Sequence, residues 1–258
     1  MTDGDRSPVI VVENPEGSGP FAILCDHASN RIPQQFESSG FDPALLEMHI
    51  AWDPGALGVA RALAARLYAP LIWPDASRLL IDCNRPLEAN SLIVADTERG
   101  TVSANRGLSP AERARRVAEI HAPYHAAIDA CLERRFARRR ATSLVAIHSF
   151  TPVFFGKPRP WQIGIVFGED RRLADFLIRD LEADPALTVG VNQPYSPADQ
   201  VYYTVERHTA PRHLPAAMIE IRNDEIAAEA GQRAWAERLA RSLSTAERNL
   251  AGASHAAV

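Results

Sequence analysis

The fold class this sequence predicts is α/β, on three observations. Short apolar runs of strand length, at residues 21–25, 71–73, 143–147 and 161–167, alternate with longer stretches whose apolar residues recur at helical spacing. Polar, potentially ligating groups stand where several of these runs end, and open α/β sheets keep their ligand crevice at strand exits. At 258 residues the chain is within the size of a single α/β domain with one large core. We therefore expect one domain over 1–258, with loosely ordered arms at 1–20 and 251–258.

Composition narrows the function. A chain that is 46% hydrophobic and 23% charged is an ordinary soluble globular protein, and a net charge of −4 gives no reason to expect nucleic acid or a membrane surface. A small-molecule partner is the expectation. Cys25, Cys83 and Cys131 have no metal-binding spacing, and the first two sit in apolar runs where buried free thiols are usual, so a reducing compartment is expected. The first seven residues carry acids and no apolar core, and no apolar run reaches the ~18 residues of a membrane span. The expected location is the cytoplasm.

The elements follow in order. Residues 9–12 offer at most an edge strand, and 21–25 read as a central strand running into Asp26-His27-Ala28-Ser29-Asn30. A helix opens at Asp42-Pro43 and is interrupted by Trp52-Asp53-Pro54-Gly55; a second spans 56–68 with Leu57, Ala60, Leu63, Ala64 and Leu67 on one side. Residues 71–73 and 79–81 read as further short strands, and 87–108, without a clear period, as a loop over the site. Ser109-Pro110-Ala111-Glu112 is a helix start, and the helix runs to about 140 with a kink or break expected at Pro123. Strands at 143–147 and 161–167, a helix at 171–182 and a short strand at 189–191 come next. Residues 202–208 are a candidate substrate-facing loop. A late strand at 218–222 leads through Asn223-Asp224 into a final helix to about 250.

Ser77-Arg78-Leu79-Leu80-Ile81-Asp82-Cys83-Asn84-Arg85-Pro86 ends an apolar run in a polar cluster, and an Asn-Arg pair there can grip a carboxylate with a bidentate fork. The competing reading is an ion pair of Asp82 with Arg78 or Arg85 that fixes a loop. His121 and His125, four apart, have a spacing that metal sites use, but Pro123 lies between them; His125 lining a pocket beside Tyr124 fits better. His27 and His148 stand at two strand ends, and Glu220 lies inside a late strand on the same face as Arg222. Two histidines with a carboxylate make a catalytic zinc set with a position left open. A nucleophilic Ser149 or Cys25 is disfavoured, because no Gly-x-Ser-x-Gly elbow surrounds the serine.

The segments CDHASNRIP (25–33), WDPGA (52–56), SRLLIDCNRP (77–86), APYHAAI (122–128), IHSFTP (147–152), NQPYSP (192–197) and MIEIRND (218–224) resemble the N-formylglutamate amidohydrolase family. The likeness is closer to its branch of predicted amidohydrolases than to the deformylase of histidine degradation. That resemblance implies a remote kinship with zinc carboxypeptidases and aspartoacylases, hence a mixed central sheet with helices on both faces, a zinc-exopeptidase-like (phosphorylase/hydrolase-like) fold. It implies one zinc ion on His27 and His148, a catalytic Glu220, and a substrate carboxylate held by Asn84 and Arg85. In those relatives a glutamate ligand follows the first histidine by three residues; here that position is Asn30. Because an amide is a poor zinc ligand, Asp53 is the expected third ligand and Asn30 a support. Asp82 and Arg78 are expected as further supports, Arg222 and His125 as substrate contacts.

The reading is a zinc-dependent amidohydrolase acting on an N-acylated amino acid, N-formylglutamate being the case the family implies. Two alternatives stand beside it: an amidase or peptidase on another carboxylate-bearing substrate, and a non-catalytic carboxylate-binding protein on the same fold.

Overall fold

The structure, a computed structural model, describes residues 9–256. Seven strands form the central sheet: β1 (Ile10–Glu13), β2 (Phe21–Leu24), β3 (Leu71–Pro74), β4 (Ser143–Phe150), β5 (Ile163–Val166), β6 (Val189–Val191) and β7 (Ala216–Arg222). Their order is β1-β3-β2-β4-β7-β5-β6. The central four, β3, β2, β4 and β7, run parallel; β1 is antiparallel to β3, and β5, with β6 parallel to it, runs against β7. The shared direction of β2, β4 and β7 brings their C-terminal ends to one edge. That edge carries the site.

Both faces of the sheet are covered. Phe21, Ile23, Val145, Ile147 and Ile219 pack against α1 (Ala56–Leu67), while Ala22, Leu24, Leu144, Ala146 and Met218 face the long helix α2. Successive residues of a strand thus enter different cores, which is why these runs are apolar without alternation. Helix α2 consists of Pro110–Arg116, a π-helical turn Val117–His121, and Ala122–Ala137. It starts as its sequence dictates, with Ser109 Oγ accepting from the Glu112 amide at 3.1 Å. The expected break at Pro123 is instead a widening into a π turn just before the proline, so the helix continues. Helix α3 (Arg172–Glu182) adds Leu173, Leu177 and Leu181 to the α1 side, and α5 (Glu229–Ala256) adds Trp235, Leu239 and Leu243.

Three expectations are corrected. Residues 79–81 are buried but form no strand. Their carbonyls are satisfied from side chains, Leu79 O by Asn105 Nδ2 at 2.8 Å and Leu80 O by Arg116 Nη1 at 2.9 Å, where a strand would use a neighbour's backbone. The supposed loop at 202–208 is mostly helix α4 (Tyr203–Thr209), whose Thr204, Val205 and His208 are buried. Residues 251–256, expected to fray, continue α5. The edge strand expected near the start is β1, while residues 1–8 and 257–258 of the expected arms lie outside the described residues. Among the described residues no helix is long and apolar enough to cross a membrane.

Candidate metal centre and active site

Three segments deliver three donor atoms to one point. His27 follows the exit of β2, His148 stands in β4, and Asp53 sits in the turn before α1. That turn is anchored by the Asp53 amide, which donates to His27 O at 2.9 Å. It needs Gly55, whose φ of 83° is left-handed and whose missing side chain leaves room for Ile226 O. Asp53 Oδ2 lies 2.9 Å from His148 Nδ1 and 3.3 Å from His27 Nδ1, and ligand atoms of the three residues fall within 4.8 Å of one another.

Each histidine turns its other nitrogen to a second carboxylate. His27 Nε2 donates to Asp82 Oδ1 at 2.7 Å, and His148 Nε2 donates to Asp26 Oδ2 at 2.9 Å. Metal-ligating histidines characteristically make such bonds, which fix the ring and leave the first nitrogen's lone pair for the ion. Tyr124 in turn donates to Asp26 at 3.0 Å, and Arg78 to Asp82 at 2.8 Å. Two nitrogens, a carboxylate oxygen and a fixed orientation for both rings are a donor set that fits a divalent ion such as zinc.

The electrostatics follow from burial and pairing. Burial alone would raise the Asp82 carboxyl, but Arg78, His27 and Arg85 outweigh it and hold it well below the usual carboxylate range. Asp53 is likewise lowered against burial by His27 and His148, and Asp26 by its bond from His148. His148, which burial would make less basic, is pushed well up by Asp26 and Asp53. Three buried acids around two rings attract positive charge, whether protons or a metal ion.

Glu220 completes the site. It is paired in register with His148 on the parallel strand β7, so both side chains leave the sheet on one face. On its other side β5 presents Gly164. Glu220 lines a cavity of about 120 Å³ together with His27, Asp53, His148, Arg78, Arg85 and Tyr195. Its Oε2 is buried and has no hydrogen-bond partner among the described residues. Burial raises this carboxyl to about 7, with Asp53 adding to the rise and His148 opposing it. A second cavity of about 230 Å³ adjoins the first through His49, Arg78, Arg85 and Tyr195, and reaches Ser91, Asp96 and Glu98 of the loop expected to cover the site.

The structure thus brings together His27, Asp53, His148, Asp82, Arg78, Arg85 and Glu220. Asn84 lines the first cavity, and its amide donates to Val201 O and accepts from the Thr204 amide at 2.9 Å, so it ties α4 to the site loop with a second N–H and a second lone pair left over. His125 is enclosed between Cys83 O at 3.1 Å and His208 at 2.9 Å and lines neither cavity. Arg222, the last residue of β7 and paired with Phe150, is held by Asp224 and Glu225. Asn30 donates to Leu46 O at 3.0 Å, away from the donor atoms. Missing from the sequence reading were Asp26 and Tyr195. The Asp-His dipeptide held the signal for the first, since a carboxylate beside one ligand histidine can orient another.

The family profile described as N-formylglutamate amidohydrolase matches residues 19–227. The chain belongs to this family. The gene product Atu2144 from Agrobacterium tumefaciens superposes with a TM-score of 0.91 at 39% identity, over 95% of this chain and 96% of that one. The N-formylglutamate amidohydrolase from Ralstonia eutropha JMP134 superposes with a TM-score of 0.72 at 21% identity, over 95% of this chain and all (100%) of that one, a likeness of fold. No curated protein matches in sequence.

Proposed function

We propose that this chain is a metal-dependent amidohydrolase that cleaves the amide of an N-acylated amino acid, with N-formylglutamate as the substrate the family suggests. The observation that carries the reading is the buried Glu220 carboxylate, with an oxygen left free, in a cavity beside His27, Asp53 and His148. A buried polar atom is nearly always hydrogen-bonded, so an orphan carboxylate oxygen calls for a partner from outside the chain.

A zinc ion held by His27, Asp53 and His148 would supply Lewis-acid polarisation of the amide carbonyl and make water more acidic. Glu220 takes the proton of the attacking water and returns it to the amide nitrogen as the C–N bond breaks. Arg85 is fixed by donating to Ser91 Oγ at 3.1 Å and Asn84 O at 2.8 Å, and its Nη2 makes no hydrogen bond among the described residues. Arg85 lines the adjoining cavity, and that group would hold the substrate carboxylate there. The three buried free cysteines suit a cytoplasmic enzyme.

The test is metal analysis of protein purified without chelator, followed by a panel of N-formyl and longer N-acyl amino acids with zinc restored. Near-stoichiometric metal and hydrolysis of a carboxylate-bearing member are expected. Repeated absence of both metal and turnover would leave a carboxylate-binding protein on this fold.

A further inference from the structure

Tyr195 stands on the wall shared by the two cavities, and the reaction just described gives it no task. Behind it lies Arg159, 9% exposed, with its guanidinium 4.4 Å from the Phe154 ring, 4.8 Å from the Tyr195 ring and 5.7 Å from the Phe150 ring. Among the described residues no carboxylate pairs with it. A buried cation without a counter-ion is costly, and three ring faces offset only part of that cost. The remaining polar contact is directed: Arg159 Nη1 donates to Tyr195 Oη at 3.2 Å.

That bond has a consequence for the phenol. The Tyr195 oxygen accepts from Arg159, so its own proton is left over, and among the described residues it is given to no acceptor. Burial and the nearby Glu220 both keep the phenol protonated at neutral pH, against the opposing pull of Arg159. Of the two cavities it lines, one also holds Glu220 and the donor set.

We propose that Tyr195 is a catalytic residue whose hydroxyl donates a hydrogen bond to the carbonyl oxygen of the scissile amide, with Arg159 as the positioning residue that holds the phenol. The assignment rests on the amidohydrolase reading. As the water oxygen bonds to the carbonyl carbon, the π electron pair moves onto the carbonyl oxygen and the water proton goes to Glu220. The Tyr195 hydrogen bond strengthens as that oxygen gains charge, and no proton leaves the phenol. When the C–N bond breaks, the carbonyl re-forms and the amine leaves with the proton from Glu220. A donor fixed beforehand by a neighbouring cation needs no reorganisation at that moment.

The test compares wild type, Tyr195→Phe, Arg159→Lys and the double variant, each zinc-loaded, on an N-acyl amino acid that wild type hydrolyses. Phe keeps the ring that stacks on Arg159, so melting temperature and zinc content are expected to hold. The expected result for Tyr195→Phe is a kcat loss of about 10²–10³, the usual worth of one oxyanion donor, with KM little changed. Arg159→Lys is expected to lose part of that factor, and to add nothing when Tyr195 is already Phe. A phosphonate mimic of the tetrahedral state should lose affinity for Tyr195→Phe by a similar factor, while the amino-acid product binds as before. A rise in KM at constant kcat would place Tyr195 on the substrate carboxylate and overturn the proposal. Unchanged kinetics in a folded Phe variant would overturn it too, leaving the amidohydrolase reading intact. A zinc-loaded wild type that hydrolyses no member of the panel removes both.

Discussion

Two groups of histidines both bond to the 82–85 loop, and their rings are similarly close. The His27 and His148 centroids are 4.9 Å apart; His121 and His125 are 4.5 Å apart, and His125 and His208 5.2 Å. What differs is the company. Asp26, Asp53 and Asp82 surround the first pair, whereas the trio bonds chiefly to backbone, with His121 donating to Arg85 O at 2.9 Å, His125 to Cys83 O, and only His208 next to an acid, Asp129. His148 is accordingly pushed up, while burial pushes His121, His125 and His208 down. Proximity of histidines therefore does not make a metal site. Converging carboxylates mark the candidate site, and the trio supports it by holding carbonyls of the loop that carries Asp82 and Arg85.

The largest expected effect breaks or keeps that division outright. His148→Ala and His27→Ala should each lose stoichiometric zinc, since each removes one of about three protein ligands. His121→Ala should keep its zinc, and a zinc-free His121→Ala protein that still folds would show that the trio, not the pair, binds the ion. Next comes Glu220→Gln, expected to keep fold and zinc but to lose about 10²–10⁴ in turnover, the worth of a positioned acid/base. A folded, zinc-loaded Gln variant with wild-type activity would take Glu220 out of the reaction. Smaller again are Asp82→Asn and Asp26→Asn, which leave the ligands in place but weaken their orientation; a 10–100-fold loss in zinc affinity is expected for each. Competitive titration against a zinc-binding dye measures it, and unchanged affinity would reduce both acids to loop supports.

How much of this could be read from the chain depends on where each side chain is aimed. His27, His148 and Glu220 were legible because they belong to or follow strands, where position in the run sets direction. Asp53 was legible only through chemistry, because the amide of Asn30 at the expected ligand position is a poor zinc ligand and a carboxylate is not. Asn84 was legible only in part, because its pairing with Arg85 in sequence says nothing of the α4 amide and the Val201 carbonyl that its side chain also binds. The strand expected at 79–81 failed for a similar reason: an apolar run says it is buried, but Asn105 and Arg116, distant in sequence, decide that side chains satisfy its backbone. Tyr195 lay inside a quoted motif, yet its relation to Arg159 is visible only in space.

The smallest effect sharpens the comparison through pH. His125 has a reference value of 6.5 and is lowered to about 3 in the fold by burial, then by His121, His208 and Arg207, with Asp26 opposing. Asp129 and Arg212 act on it only through His208. Between those two values the unfolded chain binds a proton that the folded chain refuses, so this contribution to stability falls as pH drops through 6.5 toward 3. From about pH 7 to about pH 5 the loss from His125 alone comes to about 2 kcal/mol. His148 has the opposite sign in metal-free protein: its raised value stabilises the fold below the unfolded value and loses that effect as pH rises through the folded one. The two signs are separated by comparing metal-free wild type with His125→Gln in urea at both pH values, since every other group is common to the pair. Gln can still donate to Cys83 O but cannot titrate. The variant should lose about 2 kcal/mol less than wild type on acidification, and equal losses would mean that His125 takes up its proton in the folded chain as readily as in the unfolded one.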